Sequence, residues 1–545
     1  MKNFILIIYF ILISGILSIS KGMDRSFDVR NYHIYNPYAF LNNRINIDIM
    51  PADIQTYFNP LMDIPYYLMV KHLNNFPYIV TFIQGLSYAL LLFLIYKIAD
   101  YIFKGYHKTL ITILSVLVGG TAALTLYNIG TLTHDIFVGD VILISIYLII
   151  KSFDKYSNKN IIISGILLGG ICGLKLTASI FAVAIILSVT VFCKKLKPQA
   201  IFWLISSCTA GFLITNGFWM YKLFTEFRNP LFPYFNNIFH SDYVNCGDIL
   251  KEDFKNLYPQ NIFEYIFFPF CFYQHLPVKG FEINYQDFRF AAIYVVLILN
   301  IITSFWYRKN DFQEKYGINY DIINFLLTLC VFSYIIWINT FATVRYLTPI
   351  AAISGIIVFA SLIKFYNIIE TKFNLKNLPI KDVELSYRRT LLPAMLIFTG
   401  LYLTFTTIEP NMLKRIPIKD KLLYVDNMHI PDDSIVIAIS GSGMIIPFQN
   451  PNARYIYLNA PRFTERNVNI LSDKVQQDIK ELIASNPDKT YLMMDLAIYN
   501  KTFRLTKQAL KEYMNIDFED AQCKMLETNI KSQRTMSFYI LCKTR

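Results

Sequence analysis

Charged residues are scarce in this sequence. They make up 17% of the 545 residues, whereas hydrophobic residues make up 54% and the mean hydropathy is +0.38. A chain this long and this apolar does not form one soluble core, because single cores stop growing at roughly 250–300 residues. The net charge of +12 comes from basic residues that follow the apolar segments, as described below. The composition therefore predicts a membrane protein with no nucleic-acid partner.

Several local signals are also missing. No internal repeat or low-complexity segment is evident, which argues against a transporter built from inverted repeats. The first apolar stretch has no small-x-small cleavage site, so we expect an uncleaved helix. The segment GSGM at 441–444 lacks the third glycine and the acidic partner of a dinucleotide-binding fingerprint. His33, His72 and His134 lack a metal-ligand spacing, so the sequence predicts no tightly bound metal and no other cofactor.

Eleven mostly apolar stretches are candidates to cross a hydrocarbon layer of roughly 30 Å. They lie near residues 3–20, 78–103, 109–127, 136–151, 161–174, 177–193, 200–218, 290–306, 321–339, 347–364 and 391–408. The predicted fold class is therefore an all-α polytopic membrane protein of about eleven transmembrane helices, followed by a small C-terminal α/β domain.

Lys and Arg residues cluster in alternate loops, and such loops stay in the cytoplasm. Examples are Lys104, Lys108, Lys151, Lys155, Lys159, Lys194, Lys195 and Lys197. This pattern predicts an inner-membrane protein with a cytoplasmic N-terminus. The loops at 21–77 and 219–289 are then exported, within a membrane domain of residues 1–408. Residues 409–545 form the exported α/β domain.

The exported segments carry structure of their own. The loop at 21–77 is too long for a connector, and its apolar residues recur at helical spacing from Val29 to Leu41, which predicts a helix along the membrane surface. The aromatic-rich loop at 219–289 predicts short interfacial helices. The tail alternates strand-like runs such as SIVIAIS with the helical stretch DKVQQDIKELIAS, which predicts about three parallel strands closed by MSFYILCK.

Two cysteine pairs share exported segments, Cys246 with Cys271 and Cys523 with Cys542. Each pair is able to form a disulfide in an oxidising compartment. The spacing alone leaves both pairings open.

Acidic residues in the exported segments are the candidates for proton transfer. The first loop contains Asp24, Asp28, Asp48, Asp53 and Asp63. For each of them the alternative is a solvated loop residue or a helix cap.

Two further acids belong to the fourth apolar stretch. Asp135 lies at its exported start, and Asp140 lies deeper, where an acid must face protein or a cavity. Capping of the helix is the alternative for Asp135, and a polar pair inside the bundle is the alternative for Asp140.

Two basic residues depart from the charge pattern, because Lys175 and Arg345 lie in short exported loops. An arginine fork or a lysine ammonium on that face is suited to hold a lipid-linked phosphate. The alternative is that each side chain simply extends to the membrane interface.

These residues carry a family resemblance. FDVRNYHIYNPYAFLNNR in the first loop, THD at 133–135, GLKLTA and RYLTP together resemble segments of the GT-C superfamily, the membrane glycosyltransferases that use polyprenyl-phosphate sugars, in the bacterial group that includes lipopolysaccharide-modifying enzymes. The resemblance covers roughly residues 1–364. It places Asp28 at the position of the essential acid. Many relatives have Glu next to that acid, whereas Val29 follows here, so Asp24 and Asp48 stay alternatives.

The resemblance implies an inverting glycosyltransferase that moves a sugar from a polyprenyl-phosphate donor to a glycan, lipid or protein acceptor of the cell envelope. Asp28, Asp24 and Asp135 are the predicted catalytic residues. The predicted substrate and phosphate ligands are Lys175, Arg345, Tyr346, Asn31, Tyr32, His33 and His134. A flippase for lipid-linked sugars and an O-antigen ligase or polymerase are the alternatives, and the loop at 219–289 keeps the latter open.

Overall fold

The structure is a computed structural model. It describes residues 2–105, 107–245, 259, 261–271, 285–304, 317–372, 381–410, 415–439, 443–458, 471–495, 507–508, 510–512, 518–529 and 538–544. Cys246, the side chain of Cys271 and the first two residues of GSGM lie outside this description, so the first predicted disulfide is not addressed by it.

Helices dominate the chain up to residue 405. In chain order they are α1 Lys2–Lys21, α2 Tyr35–Leu41, α3 Ile64–Leu73, α4 Pro77–Gln84, α5 Leu86–Ile102, α6 Lys108–Gly120, α7 Ala123–Tyr127, α8 Asp135–Asp154, α9 Asn158–Leu174, α10 Ser179–Val191, α11 Cys193–Leu196, α12 Gln199–Phe227, α13 Asn236–Phe239, α14 Ile262–Cys271, α15 Arg289–Ser304, α16 Tyr320–Thr340, α17 Thr348–Lys372 and α18 Lys381–Phe405.

Each of the eleven predicted spans coincides with an apolar helical segment. Within the described residues, six segments are long and apolar enough to cross a membrane: Asn3–Lys21, Pro77–Ile102, Asp135–Asp154, Gln199–Phe227, Tyr320–Thr340 and Val344–Ile369. Five shorter apolar segments are Lys108–Gly120, Asn158–Leu174, Leu176–Val191, Arg289–Ser304 and Thr390–Phe405. The predicted helical membrane fold is confirmed, while the count of eleven crossings stays a prediction.

Small residues allow α9 and α12 to pack closely along their length. A Cβ added at Gly169 would lie 1.8 Å from the Cys208 carbonyl oxygen, and one at Gly211 would lie 2.2 Å from the Ile166 carbonyl oxygen. Such contacts are typical of helix pairs in membranes, where small residues let backbones approach. The pairing also fixes the end of α9, directly before Lys175.

The first loop, residues 21–77, is folded and largely buried. The predicted helix from Val29 to Leu41 is interrupted at Ile34, so that a π-helical turn, Val29–His33, precedes α2. Most of α2 is buried and contacts the 3₁₀ segment Gly443–Phe448 of the C-terminal domain. The helix therefore packs against that domain, and its position relative to the membrane surface stays a prediction.

The C-terminal domain contains one five-stranded sheet. The described strands are β1 Met23–Asp24, β2 Pro51–Ile54, β3 Arg415–Ile416, β4 Ile435–Ile439, β5 Arg454–Tyr457, β6 Thr490–Asp495, β7 Phe518–Glu527 and β8 Phe538–Thr544, with α19 at Asp473–Ala484. The order of strands in the sheet is β5-β4-β6-β8-β7. Strands β5, β4 and β6 are parallel, and β8 pairs antiparallel with β6. The prediction of three parallel strands closed by a C-terminal strand is thus confirmed.

Strand β7 is an addition that the sequence analysis missed. It pairs antiparallel with β8, and Cys523 lies directly opposite Cys542 in this register. The two cysteines form a disulfide, which was one of the two open pairings. The bond joins the last two strands of the sheet.

Candidate active site

Asp28 and Arg345 form an ion pair although 317 residues separate them in the sequence. Asp28 directly precedes the π-helical turn, and Arg345 lies in the 3₁₀ turn Val344–Leu347 just before α17. The distance from Arg345 Nη1 to Asp28 Oδ2 is 3.4 Å. Both side chains keep about a fifth of their surface exposed, 23% for Arg345 and 20% for Asp28. The pair therefore remains accessible to a ligand.

Arg345 also faces a second acid. Its Nε lies 3.7 Å from Asp135 Oδ2, and the other oxygen of Asp135 accepts a hydrogen bond from Lys175 Nζ. Asp135 is the first residue of α8, and the preceding His134 has a left-handed conformation with φ 58°, which turns the chain into the helix. Asp28, Arg345, Asp135 and Lys175 thus form one continuous row, here called the acid–base row.

Tyr346 lies beside both cations of the acid–base row. Lys175 Nζ and Arg345 Cζ are each 5.5 Å from the centroid of its ring. An aromatic face attracts cations at this distance. Lys175 additionally donates to the Thr133 carbonyl oxygen. The two cations therefore point into protein, towards carboxylates and a ring, which is not the geometry of side chains that simply extend to the membrane interface.

A second cluster adjoins the row and links the first loop to the segment before α8. His33 Nδ1 lies 2.7 Å from Asp63 Oδ1, and His134 Nε2 lies 2.8 Å from the same oxygen. We call these three residues the histidine cluster. Tyr32 lies next to it, with its ring centroid 4.1 Å from that of His33.

Burial and neighbouring charges together set the pKa values of the histidine cluster. Burial lowers the pKa of His33, but the charge of Asp63 and the hydrogen bond to it outweigh that effect, so the net pKa is raised. Burial raises the pKa of Asp63, and the two histidines overcome this and lower it. Burial dominates for His134, and its pKa is lowered. The cluster thus favours a charged His33–Asp63 pair beside a neutral His134.

The histidine cluster could also hold a divalent metal ion, since one ligand atom from each residue lies within 4.8 Å of the others. Imidazole nitrogens together with a carboxylate are ligands that zinc accepts. The prediction of no tightly bound metal rested on the absence of a local ligand spacing. The fold removes that premise, because it brings together residues from three separate segments.

Other predicted residues have contacts that assign them to the scaffold of the site. Asp24 Oδ1 accepts from Ser26 N, and its Oδ2 accepts from Leu132 N, so it ties the first loop to the segment before α8. The Asn31 amide donates to the Ala52 carbonyl oxygen. Both side chains are buried. Their described contacts make them positioning residues.

Asp48 and Asp53 are also engaged elsewhere. Asp48 pairs with Arg44 and accepts from the Tyr35 hydroxyl, while Asp53 accepts from the backbone of Ile54. Of the five first-loop acids, Asp28 is therefore the one that belongs to the acid–base row. Asp140 is fully buried in α8, and its two carboxylate oxygens have no hydrogen-bond partner among the described residues.

Sequence reasoning underrated Asp63 and Asn59. Asp63 was one of five first-loop acids with nothing to single it out. Asn59 was not considered, yet its amide donates to the carbonyl oxygens of Gly173 and Thr215, which fixes the first loop against the end of α9 and the interior of α12 near Lys175. A polar residue before proline in a loop gives no signal of such a contact, because it depends on which helix lies opposite.

Comparisons with known proteins give a limited result. No family model matches the sequence, and no curated protein matches it either. Among solved structures, ArnT from Cupriavidus metallidurans bound to undecaprenyl phosphate aligns with a TM-score of 0.49 and 11% identity, over 99% of this chain and 97% of that chain. Its apo state aligns with a TM-score of 0.47 at the same identity and coverage. Both TM-scores are below 0.5, so any function must be supported by the site itself.

Proposed function

We propose that this chain is an integral membrane glycosyltransferase that moves a sugar from a polyprenyl-phosphate donor to an acceptor of the cell envelope, on the non-cytoplasmic face of the inner membrane. The observation that carries the proposal is the acid–base row, in which two cations alternate with two carboxylates at a partly open position. Phosphate recognition needs the cations, and proton transfer needs a carboxylate within reach of the acceptor hydroxyl.

The row supplies both functions through exchange of partners. Arg345 pairs with Asp28 and Asp135, and Lys175 pairs with Asp135. A phosphate oxygen competes for the same donors because charge-assisted hydrogen bonds to phosphate are strong. Once Arg345 turns to the donor phosphate, its ion pair with Asp28 is broken. The Asp28 carboxylate is then available to accept a proton.

The reaction follows from these roles. The acceptor hydroxyl gives its proton to Asp28, and the hydroxyl oxygen forms a bond to the anomeric carbon of the donor sugar. The bond from that carbon to the phosphate oxygen breaks, and the polyprenyl phosphate leaves with the electron pair, stabilised by Arg345 and Lys175. Attack opposite the leaving group inverts the anomeric configuration.

The Asp28 side chain provides the direct test. We expect Asp28→Asn to lower kcat for transfer from a labelled polyprenyl-phosphate sugar by roughly 10²–10⁴-fold, the range for loss of a general base. Asp433→Asn is the matched control, because Asp433 is an exposed acid of the C-terminal domain. Undiminished transfer by Asp28→Asn membranes would exclude the proposed base. Movement of intact lipid-linked sugar without bond cleavage would instead identify a flippase.

A further inference from the structure

The C-terminal domain contacts the turn that carries the candidate base. Gly443, at the start of the 3₁₀ segment after β4, lies against this turn, and a Cβ added to it would lie 2.0 Å from the Asn31 carbonyl oxygen. Asn31 is the middle residue of Val29–His33, which follows Asp28 and includes Tyr32 and His33. A shift of the C-terminal domain would therefore directly displace the turn Val29–His33.

A buried ion pair between Arg44 and Asp48 joins the first loop to the C-terminal domain, and we call it the Arg44–Asp48 joint. Arg44 donates to both oxygens of Asp48, and both side chains are at most 3% exposed. Arg44 also donates to the Ala453 carbonyl oxygen at 2.6 Å, and Asp48 Oδ1 accepts from Tyr455 N at 3.0 Å. A buried ion pair whose other donors and acceptors also make hydrogen bonds has a narrowly defined geometry.

The joint continues into the helix after the turn and into the sheet. The Tyr35 hydroxyl, from the first residue of α2, donates to Asp48 Oδ2 at 2.8 Å. Ile49 N donates to the Tyr455 carbonyl oxygen, and Tyr457 N donates to the Ile49 carbonyl oxygen, each at 2.9 Å. The first loop thereby adds a parallel bridge to the edge strand β5.

We propose that the C-terminal domain is a positioning element of the candidate active site, which sets the distance between Asp28 and Arg345 by holding the turn Val29–His33 at Gly443 and the start of α2 at the Arg44–Asp48 joint. This inference rests on the proposed function. A long exported loop without such an anchor opens locally at little cost. A displacement of about 1 Å at reacting groups is able to cost roughly 10²-fold in rate. These contacts thus act on catalysis without touching substrate.

Gly443→Ala in the full-length protein in lipid nanodiscs tests this positioning role. We expect kcat to fall by about tenfold or more, because the added methyl group displaces the turn. Binding of undecaprenyl phosphate should change by less than about threefold, since Lys175 and Arg345 remain in place. Hydrogen exchange should increase in peptides covering 26–42 and stay unchanged in β4 and β6. Gly217→Ala is the control, because a Cβ there meets only Leu213 Cβ at 3.9 Å.

The Arg44 joint gives a second variant with a conservative counterpart. We expect Arg44→Ala to reproduce the effect of Gly443→Ala, and Arg44→Lys to restore part of the rate because lysine keeps a charged partner for Asp48. Wild-type kcat and exchange in both Gly443→Ala and Arg44→Ala would overturn the proposal. Simultaneous loss of donor binding and of exchange protection throughout the sheet would also overturn the proposal, since that result indicates a role in folding alone.

Failure of the proposed function gives a different pattern. If the wild-type protein binds undecaprenyl phosphate but transfers no sugar, the glycosyltransferase assignment fails. The exchange of residues 26–42 in Gly443→Ala still decides whether the C-terminal domain holds the turn.

Discussion

Arg345 is the residue on which the two candidate acids converge, since its guanidinium faces Asp28 on one side and Asp135 on the other. In a ligand-free site this arrangement keeps the cation oriented and prevents it from extending into water. The planar fork of arginine suits this double contact, whereas a lysine presents one point of charge. Arg345 is thus both the proposed phosphate ligand and the partner that restrains the base.

Substitution of Arg345 separates phosphate binding from folding. We expect Arg345→Ala to weaken binding of undecaprenyl phosphate by roughly 10–100-fold, because a hydrogen bond to a charged group contributes about 1.5–3 kcal/mol. Arg345→Lys should retain part of the affinity. Lys71→Ala is the control, since Lys71 is an exposed basic residue of the same exported surface. Equal affinities of Arg345→Ala and the wild type would remove Arg345 from the phosphate site.

His33 gives a prediction about pH. A histidine whose pKa is raised in the folded state stabilises the protein fully below its unfolded-state value, 6.5, and loses this contribution as the pH rises through the higher folded-state pKa. We therefore expect the destabilisation caused by His33→Gln to be largest below pH 6.5 and to shrink at alkaline pH. Thermal unfolding at a series of pH values measures it.

The low-pH limit of this effect is set by Asp63. Its folded-state pKa is below 3.8, so the pairing is lost only as the pH falls through that lowered value. His72→Gln is the control, because His72 is exposed at the end of α3. A pH-independent effect of His33→Gln would contradict the charged His33–Asp63 pair.

At the scale of elements, the pairing of α9 with α12 determines where Lys175 is placed. The last residue of α9 is Leu174, and Gly173 at its end is also contacted by Asn59 from the first loop. The helix is therefore fixed at its exported end from two directions. A change in the packing of α9 against α12 should therefore alter the acid–base row, even though the changed contact lies within the helical bundle.

Two adjacent glycines test this coupling. A Cβ at Gly169 would lie 1.8 Å from a backbone carbonyl oxygen, whereas a Cβ at Gly170 would make its first contact at 3.6 Å, with Thr215 Cγ2. We expect Gly169→Ala to destabilise the protein by about 1–3 kcal/mol through overpacking and to weaken donor binding. Gly170→Ala should leave both unchanged. Thermal unfolding in detergent and undecaprenyl phosphate binding are the measurements, and equal behaviour of the two variants would refute the packing argument.

At the scale of the whole molecule, the proposed reaction requires the site to face the non-cytoplasmic side of the membrane. The basic loops predict that the acid–base row and the C-terminal domain are exported. The disulfide between Cys523 and Cys542 is consistent with an oxidising compartment. The first loop, α8, α9 and α17 all bring their site residues to one end of the helical bundle, so a single orientation serves the whole site.

Cysteine labelling in intact cells tests the orientation. We expect Lys489→Cys, at an exposed position of the C-terminal domain, to react with a membrane-impermeant maleimide from outside the inner membrane. Lys155→Cys, exposed after α8, should react only after the membrane is permeabilised. The unsubstituted protein measures the background from its native cysteines. The reverse pattern would place the site in the cytoplasm and exclude the proposed reaction.

The sequence was sufficient to predict the apolar helices, most of their boundaries, the basic loops and the alternation of strands and helix in the tail. These features are local, because each depends on hydrophobic periodicity or length over a short window. The ends of α12 and α17 and the start of α18 extend well beyond the predicted stretches. The interruption at Ile34 and strand β7 were not predicted. The first lies where the loop packs against the C-terminal domain, and the second is defined by its pairing with β8.

The sequence by itself determined which chemical groups are present: the acids of the first loop, the acid before the fourth span, and two cations outside the basic loops. Only the tertiary structure decided their partners. Asp28 meets Arg345 across 317 residues, and Asp63 meets two histidines that no local spacing connects. The physical reason is that ion pairs and hydrogen bonds act over a few ångströms. Their partners are therefore fixed by helix packing and by the domain above the loop, which single-sequence patterns do not encode.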